Sequence, residues 1–370
     1  MTGEINSTAP SLANAKEIRR EFDDIENRTS RGEIIIMAEL PSDHVAELAK
    51  AELGTFEKTV SSPPNELLSE LKTLPEKPPL RKLKGLEVSG IEFSNPSETP
   101  LIFDIPVTYN ERVKQWIRYF QSGGRITFKN WLQRSSRYLP IVQYELARSG
   151  LPQDLAFVAM IESGFTPGAV SHAGAKGMWQ FIIPTAERYG LHIDWWIDGR
   201  KDFHKATQAA IRYMGDLYQQ FNSWYLVAAS YNMGENGVRR LILRHKTNNY
   251  WELAERGALP QETSDYVPKI IAAMLIAKAP ALYGFRELEY QMPLSFETAS
   301  VPGGTDIINL ASFLGVSEKY LKDLNPELTK GFIPTTVRTH NIRIPKGSML
   351  AVSQFIRMQA QAGVKRTAAN

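Results

Sequence analysis

Glu162 closes a short apolar run, and Ser163-Gly164 follow it at once. Leu155, Val158, Ala159 and Glu162 recur at spacings of three and four, so a helix would put them on one face. That places a carboxyl at the buried end of an apolar helix. Burial disfavours the charged form, and a carboxyl kept protonated near neutral pH can serve as a general acid. The next stretch, Ser171-His172-Ala173-Gly174-Ala175-Lys176-Gly177-Met178-Trp179-Gln180, mixes small residues, apolar faces and an amide. Small residues let a backbone approach a ligand closely, and a Gln offers both a donor and acceptors. The mixture suits a polyhydroxylated, amide-bearing ligand. Read without the loop, Glu162 is equally an ordinary helix-end glutamate; Met178 and Trp179 read equally as core.

The elements that must position these residues are helical. Gly150 suits the end of one helix and Pro152 the first position of the next. Upstream, Asn110 reads as an N-cap before the stripe Val113, Trp116, Ile117, Phe120. Phe128 to Leu139 reads as a second helix, kinked or restarted at Pro140. Downstream, Phe203, Ala206, Ala210, Tyr213, Leu217 and Phe221 trace a long amphipathic helix. Another carries Tyr231 into Asn232-Met233-Gly234, where its phenol is placed to donate to a carboxylate or a substrate. Ser264–Ala279 reads as the last helix of this region and holds Tyr266. Between them lies a loop with paired tryptophans, Trp195 and Trp196, which serve equally as sugar platforms or as buried anchors.

After Pro293 the period changes. Ser295 to Ala299 alternates like a strand; Thr305 and Ser317 are the expected caps of two short helices; His340 to Pro345 reads as a second strand. The tail from Ala351 is expected as a frayed helix or as disorder. Residues 1–60 read as a polar arm and 61–105 as a proline-rich linker with a basic run from Lys77 to Lys84. With no cysteine, the chain has no thiolate chemistry, disulfide or Cys-ligated metal, and its six histidines are dispersed. A net charge of +3 gives no argument for nucleic acid. There is no apolar run of about 18 residues. The first residues lack the pattern of an export signal.

Three separated motifs carry a family resemblance: Glu162-Ser163, then Ser171…Gly174-Ala175…Gly177-Met178-Trp179-Gln180, then Ser230-Tyr231-Asn232-Met233-Gly234. In order and spacing they resemble the lytic murein transglycosylases of the soluble lytic transglycosylase superfamily, in the membrane-bound D-type branch. The resemblance covers Pro106 to Ala281, and Glu262-Thr263…Tyr266-Val267-Pro268-Lys269 adds to it. It implies a mainly α, lysozyme-like catalytic domain at 106–292. The strand–helix–helix–strand order of 293–350 resembles a LysM module, with an altered Gly303-Gly304-Thr305 start and a long Pro326–Thr339 segment. Those departures leave glycan binding and simple packing as equal roles for it.

The resemblance also implies the chemistry: non-hydrolytic cleavage of the MurNAc–GlcNAc bond, leaving 1,6-anhydro-MurNAc ends. Glu162 would be the acid and then the base. Ser171 would bond the N-acetyl group, Met178 would pack on the glycan, Gln180 and Asn232 would orient sugars or loop, and Tyr231 would hold the glutamate. Tyr266 is a further substrate-side residue of this kind. The implied partner is peptidoglycan, with no cofactor or metal, acting as a monomer on the periplasmic side of a bacterial envelope, with wall or membrane association left open. The alternatives are a hydrolytic goose-type lysozyme, which needs a second acid that the matched motifs do not supply (Asp194, Asp198 and Asp202 lie in a later loop and Glu235 follows the Tyr231 motif), and a non-catalytic wall-binding protein.

Overall fold

The computed structural model describes residues 102–367. The expected arm, nearly all of the proline-rich linker and its basic run lie outside the described residues. In chain order the helices are α1 Glu111–Gln121, α2 Arg125–Arg148, α3 Ala156–Ser163, α4 Ile183–Arg188, α5 Phe203–Phe221, α6 Trp224–Met233, α7 Glu235–His245, α8 Tyr250–Glu255 and α9 Gln261–Lys278. Strand β1 Phe296–Pro302, helices α10 Ile307–Phe313 and α11 Glu318–Leu324, strand β2 Thr339–Pro345 and helix α12 Met349–Thr367 follow among the described residues. Among the described residues the protein is mainly α with one small two-stranded sheet. Its residues fall into two compact units.

Among the described residues the first unit takes 102–127 together with Asn222–Glu287. Asn110 caps α1 as expected, its Oδ1 accepting from Val113 N at 3.1 Å. Val113, Ile117 and Phe120 then form the buried stripe, packed against α9. Helix α9 is apolar on nearly every side, with Val267, Ile271, Met274 and Leu275 all buried, as befits a central helix. It starts three residues earlier than Ser264. Tyr250 of α8 donates to the carbonyls of Thr263 and Ser264 at 3.0 and 2.9 Å, which secures that first turn.

The second unit joins Phe128–Phe221 to the chain from Leu288 onward. Helix α2 runs through Pro140 as one continuous element. Helix α5 buries the six apolar residues its periodicity predicted. Strands β1 and β2 pair antiparallel, Ala299 opposite Ile342, and together with Ile307, Leu310, Leu321 and Leu324 they enclose a small core. Ser317 caps α11, accepting from Tyr320 N at 3.2 Å. The α10 cap is Asp306 rather than Thr305: its Oδ1 accepts from Ile308 N and Asn309 N. Thr305, fully buried, turns its hydroxyl back to the Pro302 carbonyl at 2.8 Å. Helix α12 packs on α10 and β1, with Val352 and Phe355 buried and Phe355 stacked 5.4 Å from Phe313. A boundary at residue 350 would cut that helix from the sheet it covers.

Within this unit the C-terminal module is bolted to the loop between α4 and α5. Asp198 N donates to the Glu327 carbonyl at 2.9 Å, and Thr329 N to the Trp196 carbonyl at 2.9 Å. Arg343 on β2 bonds Glu327 at 3.2 Å and also Asp202, and all three side chains are buried. Burial pushes the Glu327 carboxyl up to about 7, the nearby Arg343 only partly opposing it.

Candidate active site

Gly150 ends the chain's approach in a left-handed turn, Pro152 leads into a single 3-10 turn, and α3 follows. The helix is short because Gly164 stops it, at φ +57°, returning its N–H to Met160 O at 2.8 Å. No side chain fits there: a β-carbon would lie 2.1 Å from the Trp131 ring. Glu162 therefore stands in the last turn. It is half-buried, not enclosed as the apolar face suggested, although Gly164 and Phe165 just after it are buried.

Two neighbours that sequence reasoning passed over fix this helix end. Ser163 Oγ donates to the Met178 carbonyl at 2.8 Å and accepts from Thr166 N at 3.0 Å. Arg134 of α2 donates to Gly164 O and Thr166 Oγ1, both at 2.7 Å. The first of these bonds ties the glutamate's helix directly to the 171–180 loop.

That loop is two stacked turns. Ser171 and Ala175 close the first: Ser171 N donates to Ala175 O at 2.9 Å, and Ala175 N to Ser171 Oγ at 3.0 Å. The Ser171 hydroxyl accepts there and so keeps its own proton to donate. Lys176 and Phe181 exchange both backbone bonds, at 3.1 Å, around Gly177-Met178-Trp179-Gln180. Gln180 sits at φ +50° with its amide nitrogen on Gly177 O at 2.7 Å, which leaves the amide oxygen as acceptor. Gly177, at φ +88°, lies so close to Arg200 that a β-carbon would stand 1.7 Å from its carbonyl oxygen.

Met178 and Trp179 are 0% exposed. Met178 therefore has no surface to lay against a glycan; its side chain is core, and its carbonyl is what Ser163 uses. Trp179 anchors the turn through Nε1, which donates to Thr207 Oγ1 at 2.9 Å.

Behind the loop lies Arg200, a residue the charged sequence Asp198-Gly-Arg-Lys-Asp disguises as surface. It is buried, donates to Gly174 O at 3.1 Å and Phe181 O at 3.3 Å, and grips both Asp198 oxygens at 2.9 and 2.7 Å. Lys176 adds a third bond to Asp198 at 3.2 Å. Burial would raise the Asp198 carboxyl, but the Arg200 and Lys176 charges outweigh it and hold it below the usual range. The other loop acids are equally committed. Asp194 accepts from Trp196 N and Ile197 N, and Asp202 accepts from His204 N, Lys205 N and Arg343.

Tyr231, Asn232 and Tyr266 belong to the first unit. Tyr231 and Asn232 are half-buried in the last turn of α6, before Gly234. Asn232 is oriented by α9, accepting from Thr263 Oγ1 at 2.7 Å and donating to Glu262 at 3.4 Å. Tyr266 is a buried side chain of α9. The arrangement in the second unit offers one half-exposed carboxyl on a rigid helix end. The turn tied to that end still has a hydroxyl proton and an amide oxygen to offer. It can move a proton and recognise an amide.

Residues 140–254 match the transglycosylase SLT domain, and residues 295–360 match the LysM-like domain of the lytic transglycosylase MltD. The chain is 32% identical over 197 residues to membrane-bound lytic murein transglycosylase D of Escherichia coli (strain K12), covering 52% of this chain and 43% of that one. It is 32% identical over 114 residues to membrane-bound lytic murein transglycosylase F of Desulfosudis oleivorans, covering 29% and 24%. Among solved structures it is similar to the 70 kDa soluble lytic transglycosylase of Escherichia coli, at 20% identity and a TM-score of 0.34, over 49% of this chain and 32% of that one. The chain spans less than half the length of the two curated relatives it matches here. The chain thus holds a region similar to the transglycosylase SLT domain, followed by one similar to the MltD-type LysM-like domain.

Proposed function

We propose that the chain is a peptidoglycan lytic transglycosylase, cleaving the MurNAc–GlcNAc β-1,4 bond and closing the muramyl residue on its own 6-hydroxyl. The observation that carries this reading is the bond from Ser163 to Met178 O, which fixes the Glu162 helix end to the Ser171–Gln180 turn. Glu162 protonates the glycosidic oxygen and then takes the proton of the 6-hydroxyl. An internal nucleophile is already in place, so proximity does the work a water-positioning carboxylate would do in a hydrolase. The commitment of Asp194, Asp198 and Asp202 to backbone and cation partners supports the single-acid mechanism over the hydrolytic one. Ser171 donates to the N-acetyl oxygen and Gln180 offers its amide oxygen to a sugar hydroxyl or amide N–H. For Asn232 and Tyr231 the orienting roles implied by the family resemblance are kept as part of this proposal. The names of the relatives support a place in the cell envelope, and we assign the chain to the periplasmic face, acting as a monomer on the glycan strand.

The test is mass spectrometry of muropeptides released from purified sacculi. The native chain is expected to release anhydro-muramyl products. Glu162→Gln keeps the shape and loses the transferable proton, so release should fall by about 10²–10⁴-fold. Reducing ends in the product would establish a hydrolase instead, and full activity in Glu162→Gln would remove the site assignment.

A further inference from the structure

The two tryptophans of the 192–198 loop separate in the fold. Trp196 turns toward Phe332, ring centroids 5.8 Å apart. Trp195 is 71% exposed, more than any other aromatic ring reported among the described residues. One exposed apolar side chain is ordinary in itself. What sets this one apart is its mounting. Thr329 Oγ1 donates to the carbonyls of Trp195 and Trp196, at 2.7 and 2.9 Å, and Thr329 N holds Trp196 O at 2.9 Å. On the other side Asp194 Oδ1 accepts from Trp196 N at 2.7 Å and Ile197 N at 2.6 Å. The backbone under the ring is thus fixed from both directions. Lys330 Nζ lies 4.0 Å from the ring centroid, held against the π-face. A large ring on a fixed backbone carries little ordering cost into binding. The opposite indole face remains open, with an ammonium beside it.

We propose that Trp195 and Lys330 form a second glycan platform, distinct from the Glu162 turn, on which a peptidoglycan strand rests away from the bond being cut. The open indole face takes the C–H face of an N-acetylated pyranose, and Lys330 pairs with a lactyl or stem-peptide carboxylate of the same strand. The occupant is argued from this complementarity: an apolar ring face for the sugar and a cation for the anion it carries. The platform also joins the proposed active site, because the loop that bears it reaches the Ser171–Gln180 turn through Asp198, Arg200 and Lys176. Both its halves are needed, one from residues 194–197 and one from 329–332. This inference rests on the transglycosylase reading. A second contact on one strand raises retention on a polymer and leaves a short substrate unaffected.

The experiment uses the full chain. In a Glu162→Gln background labelled with 5-fluorotryptophan, the Trp195 resonance, assigned with Trp195→Phe, is followed while soluble glycan strands are added. It should shift, and Trp195→Ala should weaken co-sedimentation with sacculi about fivefold or more. With Glu162 intact, Trp195→Ala should cleave a short soluble tetrasaccharide-peptide at the native rate. An unmoved resonance with sacculus binding retained, or equal loss on polymer and short substrate, overturns the platform while the native chain still releases anhydro-muropeptides. A shift produced by anionic phospholipid vesicles and not by glycan also overturns it, making the ring a lipid contact. If the native chain releases nothing from sacculi, the transglycosylase reading falls and takes the platform with it.

Discussion

Ser163 and Gly177 do more for the site than their chemistry announces. Ser163 is one hydroxyl joining two loops, so Ser163→Ala should cost about 1–2 kcal/mol in stability and lower kcat more than it raises KM, because the acid loses its register with the turn. Steady-state kinetics on a soluble glycan, beside thermal melts, would separate these effects. Gly177→Ala meets a left-handed φ and the Arg200 carbonyl together, and is expected to cost about 2–4 kcal/mol or to prevent folding. At this scale the sequence was legible where a short polar side chain precedes an apolar stripe, as at the Asn110 cap. It was not legible at Met178. A methionine in a glycine-rich loop has no period to say which way it faces, and only the closed Lys176–Phe181 turn places it in the core. Arg200 failed for a related reason: a run of charges reads as solvated until the fold shows a carboxylate and two carbonyls waiting inside.

Among the elements, the junction of β2, α11 and the 198–203 segment carries the most electrostatic risk. Glu327 is 1% exposed and its carboxyl is pushed up to about 7, whereas the unfolded chain ionises it near 4.3. The folded state therefore holds the proton more tightly. Its contribution is fully present below the unfolded value and is lost as pH rises through about 7. Glu327→Gln keeps the neutral form's shape, so the melting temperatures of native and variant should lie close together near pH 5. They should diverge by pH 8, with the variant the more stable, since Arg343 keeps Asp202 as its partner. Arg343→Met leaves both carboxylates buried without their cation and is expected to destabilise by about 3–5 kcal/mol. Helices were read well where their apolar stripes are long, as in α1 and α5. Ends were harder. Thr305 and Asp306 both have capping chemistry, and the choice fell to the residue whose oxygen reached the first-turn N–H groups.

For the whole molecule, the C-terminal module is a structural part of the second unit. A chain ended at Pro293 would expose Phe203, Asp198 and Asp202 where Phe296, Glu327 and Arg343 now stand. It should lose near-ultraviolet circular dichroism, bind hydrophobic dyes and release no muropeptide; a soluble, fully active truncation would refute this. The grouping of residues 128–221 with those after 288 was not legible in the sequence, because periodicity tells which face of a helix is buried and not which partner buries it. The grouping also sets an order in time. Asp202 and Arg343 are 141 residues apart, and the first unit's helices α6 to α9 are made between them. At the pace of synthesis, that interval lasts about 7–28 s. Throughout it the Arg200 loop and the Phe203 ring must wait with their partners not yet made. The residues from Leu288 onward complete the unit holding Glu162, so that unit cannot close until they have been made.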